Sequence, residues 1–394
     1  MPRSKAIDIL RAVAVFLVLG RHMDLPSAKS SSLVHSLTYW LMEHWNRGGW
    51  VGVDLFFVLS GFLVSGLLFR EHQKFGAISG KSFLIRRGFK IYPAFWVLIG
   101  ATGVEMLLRR EFHLNSLLHE LLFVQNYYQP VWNHTWSLAV EEHFYICLLL
   151  FLLFLSWRNS PSLFRPIPRA FFVLAVACLS LRVFTAYMVR DNYWIHFSPS
   201  HLRMDSLFCG VTISYLYHYH SAKFLDAATR YRVPALLLGI VALAPAFVFP
   251  VETVPFISTF GLTLFYIGSG LILIAFLTVT VPDNKLARSV VYVGSHSYSM
   301  YLWHMPLVLW CLPPLARALG QYWTWSLYFA SYLLGSVVLG ILMALAIEFP
   351  LLKARDRWFP SRGRPLTISS AGSGDALQEA GSTARAAAPP LTGL

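Results

Sequence analysis

Several residue types that do chemistry sit inside apolar runs of this chain. Segment 7–23 reads IDILRAVAVFLVLGRHM and carries Arg11 and His22. At 100° per residue, eleven positions return the two side chains to nearly one helix face, about 16 Å apart along the axis. Either they line one side of a functional helix, or Arg11 is an interfacial anchor and His22 a helix-end residue. A charge within a membrane span costs at least about 2.5–3.5 kcal/mol on insertion scales, so each one needs a reason.

Further polar residues recur in the same setting. GGWVGVDLFF places Asp54 at the start of a second apolar run, where it could orient His22, neutralise an Arg or cap a helix. FLIRRGFKIYP clusters Arg86, Arg87 and Lys90. That cluster suits a phosphate or pyrophosphate clamp, although the positive-inside rule alone would also produce it. In TWSLAVEEHFY, Ser137 and Glu141 are four residues apart, as are Glu141 and Tyr145, so they share a helix face. Glu141 is expected to face a polar interior, and Glu142 to favour a helix N-terminus. SHLRMDSL brings Arg203 near Asp205, as part of a charged network on the outer side or as a surface pair. SYSMYLWH sets Ser297, Tyr301 and His304 on one face, and AIEFP ends a run with Glu348, a helix-end residue or a network partner.

The elements that must hold these residues are membrane helices. The chain has 394 residues, 56% hydrophobic and 13% charged. Soluble proteins carry roughly 25% charged residues, so a water-soluble globular domain is excluded. Ten apolar runs approach the length that spans a bilayer: 7–23, 51–69, 89–108, 136–157, 169–189, 205–220, 233–250, 257–281, 293–315 and 323–348. The expected fold is all-α, a polytopic integral membrane protein of about ten spans over residues 1–355. Segment 114–124 is too short to span and is expected to lie at the interface. The first run is no cleaved signal peptide, since it holds Arg11 and lacks a small-x-small site. From about Ser361 the chain is rich in Gly, Ser, Ala, Thr and Pro, so 356–394 is expected to be a disordered cytoplasmic tail.

With the N-terminus inside, 22 Lys and Arg fall on the inner side, 7 on the outer side, and Arg11, Arg21 and Arg182 within spans. That asymmetry places both termini in the cytoplasm and explains most of the +13 net charge as topology, which removes the case for nucleic acid. Cys147, Cys178, Cys209 and Cys311 lie in apolar stretches with neither metal spacing nor a disulfide framework. No metal site is expected.

Taken in order, these motifs resemble the acyltransferase family 3 membrane proteins. The resemblance covers residues 5–355. It rests on Arg11 and His22 as R-x10-H, GVDLFFVLSGFL from Gly52, RRGFKIYP from Arg86, TWSLAVEEHFY from Thr135, RMDSL from Arg203, SYSMYLWH from Ser297 and the terminal EFP from Glu348. Arg87 and Lys90 stand at the two ends of the family's R-x-x-R motif, with Lys replacing the second Arg. Lys keeps the charge but loses the bidentate fork.

The resemblance implies a bacterial cytoplasmic-membrane enzyme with no permanently bound cofactor. It would move an acyl group, acetyl foremost, from cytoplasmic acyl-CoA to a hydroxyl of a carbohydrate or glycosylated acceptor. Arg86, Arg87 and Lys90 would then hold the donor's phosphates. Arg11 would position the donor, and His22 would act as general base or carry the acyl group. Glu141 or Asp54 would orient the second nitrogen of His22. Ser137, Arg203, Asp205, Tyr301, His304 and Glu348 are supporting residues. The competing class is a multi-span solute transporter, which also places charges in the membrane but predicts an inverted repeat.

Overall fold

The computed structural model describes residues 4–26, 33–128, 130–157, 163–189 and 192–360, and among them every regular element is a helix. In chain order these are α1 (Lys5–Arg21), α2 (Leu33–Gly48), α3 (Val51–Phe75), α4 (Gly80–Arg109), α5 (Leu114–Leu121), α6 (Trp136–Trp157) and α7 (Ile167–Met188). The short α8 (Tyr193–Phe197) precedes α9 (Met204–Tyr219), α10 (Ser221–Arg230), α11 (Arg232–Val248) and α12 (Leu262–Phe276). The last group is α13 (Lys285–Ser295), α14 (Ser297–Pro306), α15 (Leu312–Leu319), α16 (Trp325–Met343) and α17 (Phe349–Trp358).

Six helical stretches among the described residues are long and apolar enough to cross a membrane, and a seventh is counted if α10 and α11, bent by 74°, form one span. The chain is an all-α polytopic membrane protein. All ten expected runs are helical. The first is only 17 residues long, the sixth 16, and the ninth is broken at His296 between α13 and α14. Length and hydropathy alone thus mark six or seven of the ten expected spans among the described residues. The stretch 114–124 contains only the eight residues of α5. The segment between the first two runs contains α2. The expected tail loses its first residues to α17, which runs to Trp358, and 361–394 lie outside the described residues.

Apolar sequence makes the spans, and glycine decides how closely they pack. α3 is the hub: 78% of its apolar window is buried, against 11% for the peripheral α7. It packs on α9, α1, α12 and α6. Between α3 and α9 the backbones touch. A Cβ on Gly61 would lie 1.9 Å from the Leu207 carbonyl oxygen, and one on Gly210 would lie 2.0 Å from that of Val58. Only glycine permits this approach. α7 instead turns Phe172, Val173, Phe184 and Met188 outward, an apolar surface suited to lipid tails.

Cap residues mark where helices begin and end. Ser79 accepts from the Ser82 amide at the start of α4, Asn284 from Ala287 before α13, and Thr324 from Leu327 before α16. Gly76, at φ +68°, closes α3. Of three π-helical turns, Ile257–Gly261 leads into α12, and Leu307–Cys311 and Ala344–Glu348 interrupt otherwise continuous helices. The last of these presents Glu348 just before Pro350.

Candidate active site

A cavity of about 200 Å³ opens among α1, α3, α4, α6 and α14. Arg11 from α1, Arg87 and Lys90 from α4, Ser60 from α3, Ser137 and Glu141 from α6, and Ser297, Tyr298 and Tyr301 from α14 supply its polar wall. Phe56, Leu59, Leu63 and Ile91 supply the apolar part.

The spacing along α6 works as the helix period requires. Glu141 accepts from Tyr145 one turn on and from Ser60 Oγ at 3.2 Å, while Arg87 Nη2 lies 4.0 Å away. The Arg87 guanidinium also rests 4.1 Å over the Tyr145 ring. Lys90 is ion-paired to Glu348, whose second oxygen accepts from Ser299 at 2.8 Å. Arg11 lies 3.4 Å from Asp8 on its own helix. Arg86 is placed differently. It pairs with Asp356 at 3.1 Å and donates to the Phe359 carbonyl, so it ties α4 to α17 and does not line the cavity.

His22 lies at the far end of α1 from Arg11 and is not part of the cavity wall. Its ring is 5.0 Å from that of His304, which in turn meets His134 edge-on at 4.9 Å. Tyr301 touches both regions. It lines the cavity, its hydroxyl is 2.6 Å from Ser137 Oγ and donates to the His134 carbonyl, and its own carbonyl is 2.7 Å from His304 Nδ1. His134 precedes α6, and burial, followed by the nearby His22, pushes its imidazole down to about 3, so it is neutral. No hydrogen bond joins Glu141 or Asp54 to His22 among the described residues. Among them, no group of three or more His, Cys, Asp or Glu is arranged to hold a metal ion.

A second charged group lies deeper. Arg203 donates to Asp54 at 2.9 Å, and Arg182 pairs with Asp205, with all four side chains fully buried. Arg203 and Asp205, neighbours in sequence, thus pair with different partners. Arg182 also donates to the Leu202 carbonyl and to Thr263 Oγ1, both at 2.8 Å, which ties α7 to α9 and α12. Phe57, Trp136 and Phe197 surround the Arg203 guanidinium at 5.1–5.5 Å.

Sequence reasoning passed over Arg182, His134, Ser60 and Tyr298 as site residues. A charge in an apolar run was the available signal for Arg182. The other three carry no such signal, because they enter only through partners on distant helices.

Residues 4–345 match the family model described as an acyltransferase domain, that of acyltransferase family 3. The chain belongs to this family. It is 27% identical over 350 residues to the peptidoglycan O-acetyltransferase OatA of Listeria monocytogenes, covering 81% of this chain and 51% of that protein. It is 26% identical over 322 residues to the O-acetyltransferase OatA of Staphylococcus aureus, covering 72% and 50%. The chain thus spans about half the length of the curated relatives it matches. No solved structure matches it.

Proposed function

We propose that this acyltransferase family member is a membrane O-acetyltransferase. It takes an acyl group from cytoplasmic acyl-CoA and passes it to a hydroxyl of a carbohydrate or glycosylated acceptor on the outer side. Both termini face the cytoplasm. The observation that carries the reading is the convergence of Arg11, Arg87 and Lys90 on one cavity that shares Tyr301 with the histidine cluster. The names of the relatives add O-acetyl transfer. The cavity of about 200 Å³ is small beside the roughly 300–1,000 Å³ of drug-sized pockets. It suits a short acyl thioester and leaves the nucleotide end of the donor outside.

A thioester is already activated, so catalysis needs alignment, a base and a donor for the oxyanion. Arg87 and Lys90 attract the anionic donor, and Arg11 lines the same cavity. His22 takes the proton of the acceptor hydroxyl, an imidazole role. Arg11, on the cavity wall, can donate to the oxyanion, as can Tyr301 once its proton leaves the His134 carbonyl. The Tyr301–Ser137 hydrogen bond lies between the cavity and the histidines.

The test is the His22→Ala variant in native membranes. Acyl transfer from acetyl-CoA is expected to vanish while membrane insertion is retained. Full activity in that variant overturns the proposal.

A further inference from the structure

We infer that His304 is a positioning residue for His22, selecting the tautomer that leaves His22 Nε2 free to act as the base. The inference rests on the acyl-transfer reading and assigns a role inside it.

Carbonyl groups only accept hydrogen bonds. His304 Nδ1 is 2.7 Å from the Tyr301 carbonyl oxygen, so in a neutral ring Nδ1 carries the proton and Nε2 the lone pair. That Nε2 is 3.2 Å from His22 Nδ1. His22 Nδ1 is also 3.1 Å from the Val18 carbonyl one turn back along α1. Both neighbours of His22 Nδ1 are therefore acceptors. The proton belongs on Nδ1, shared between them, and the lone pair on Nε2. His22 Nε2 has no hydrogen bond among the described residues.

The surroundings hold this arrangement in place. His134 Nε2 is 3.1 Å from the Leu302 carbonyl, and its ring stands edge-on to His304. The end of α1 is clamped independently. Asn46 Nδ2 donates to the Arg21 carbonyl at 2.9 Å and the Met23 carbonyl at 3.0 Å, and the Tyr332 hydroxyl donates to the Leu19 carbonyl at 2.8 Å. Backbone clamps fix where His22 sits, and His304, together with the Val18 carbonyl, fixes which nitrogen is basic.

In the step this serves, the lone pair on His22 Nε2 takes the proton of the acceptor hydroxyl. The oxygen forms a bond to the thioester carbonyl carbon, and the C–S bond breaks. The departing thiolate takes the proton back from the imidazolium, giving an ester, free CoA thiol and neutral His22.

The test uses the full chain in native membrane vesicles, with radiolabelled acetyl-CoA as donor and label in the glycan fraction as readout. His304→Leu removes the side-chain acceptor facing His22 Nδ1 and leaves only the Val18 carbonyl. It is expected to lower kcat by about 10²-fold or more, the usual scale of general-base catalysis, with the acetyl-CoA KM unchanged. His304→Gln, whose carbonyl oxygen can accept from Nδ1, is expected to recover at least about a tenth of wild-type kcat. An unchanged kcat in His304→Leu overturns the inference. So do equal losses in both variants at matched membrane yield, which would make His304 a packing residue. Either result leaves the acyl-transfer reading standing if His22→Ala is inactive. A fully active His22→Ala, or a wild type that transfers no label, overturns that reading and the inference with it.

Discussion

Arg203 donates to Asp54 at 2.9 Å from a site where neither side chain has any exposure. The residues are 149 positions apart in sequence, and the bond joins the N-terminal end of α9 to the first turn of α3. Removing one partner leaves the other charge buried and unpaired. Asp54→Ala or Arg203→Ala is expected to cost about 3–5 kcal/mol, whereas the paired Asp54→Leu with Arg203→Met is expected to cost less than the two single changes together. Thermal unfolding in detergent measures this. Additive costs would mean the two charges do not act as a unit.

The same pair of helices tests close packing. Gly61→Ala puts a methyl where 1.9 Å separates it from the Leu207 carbonyl oxygen. Backbone must move to admit it. A loss of about 1–3 kcal/mol is expected, with α3 and α9 forced apart and the Arg203–Asp54 bond strained. Retained stability, read from the same unfolding curves, would show that the interface yields freely.

Glu120 tests the loop that carries His134. Its carboxylate accepts from the amides of Val131 at 3.0 Å and Trp132 at 3.2 Å and from Thr135 Oγ1 at 2.8 Å. Burial, only partly offset by these bonds, pushes its carboxyl up to about 7. A carboxyl raised above its unfolded value binds a proton more tightly when folded. Its stabilisation is complete below the unfolded value of 4.5 and is lost as pH rises through about 7. The wild type is expected to lose roughly 1–3 kcal/mol between about pH 5 and pH 8 from this group. Glu120→Gln should flatten that dependence. Matching pH profiles for the two proteins would remove Glu120 as the cause.

Arg87 tests the proposed donor site. It is the basic-motif residue on the cavity wall with the weakest pairing: its carboxylate contact is 4.0 Å, while Lys90 is ion-paired to Glu348 and Arg86 is turned to α17. Arg87→Ala is expected to raise the acetyl-CoA KM by about 10–100-fold, the scale of one charge-assisted hydrogen bond. Initial rates against acetyl-CoA concentration measure it. An unchanged KM would reduce Arg87 to a topology signal.

Much of the architecture was legible because membrane insertion is a local property. A run of twenty apolar residues cannot leave its backbone unpaired in lipid, so it becomes a helix wherever it lies. The caps at Ser79, Asn284 and Thr324 are likewise local. The same logic does not by itself mark a span where a run is broken, as at His296. It missed α2, whose polar residues alternate with Leu37, Trp40 and Leu41 along an amphipathic helix.

What the amino-acid sequence alone determined is the all-helical class, the family and the set of unusual polar residues: Arg11, His22, Arg87, Glu141 and Glu348. Tertiary structure decided the pairings. Sequence left Asp54 equally free to meet His22 or an Arg, and packing of α3 on α9 gave it Arg203. Sequence offered Arg86, Arg87 and Lys90 as one cluster, and the return of α17 drew Arg86 away from the cavity. His134 and His304, 170 positions apart, meet only because α14 folds back against the start of α6. Helix periodicity reaches a turn or two along the chain. A partner on another helix is set by how the helices cross, and that depends on contacts spread over the whole bundle.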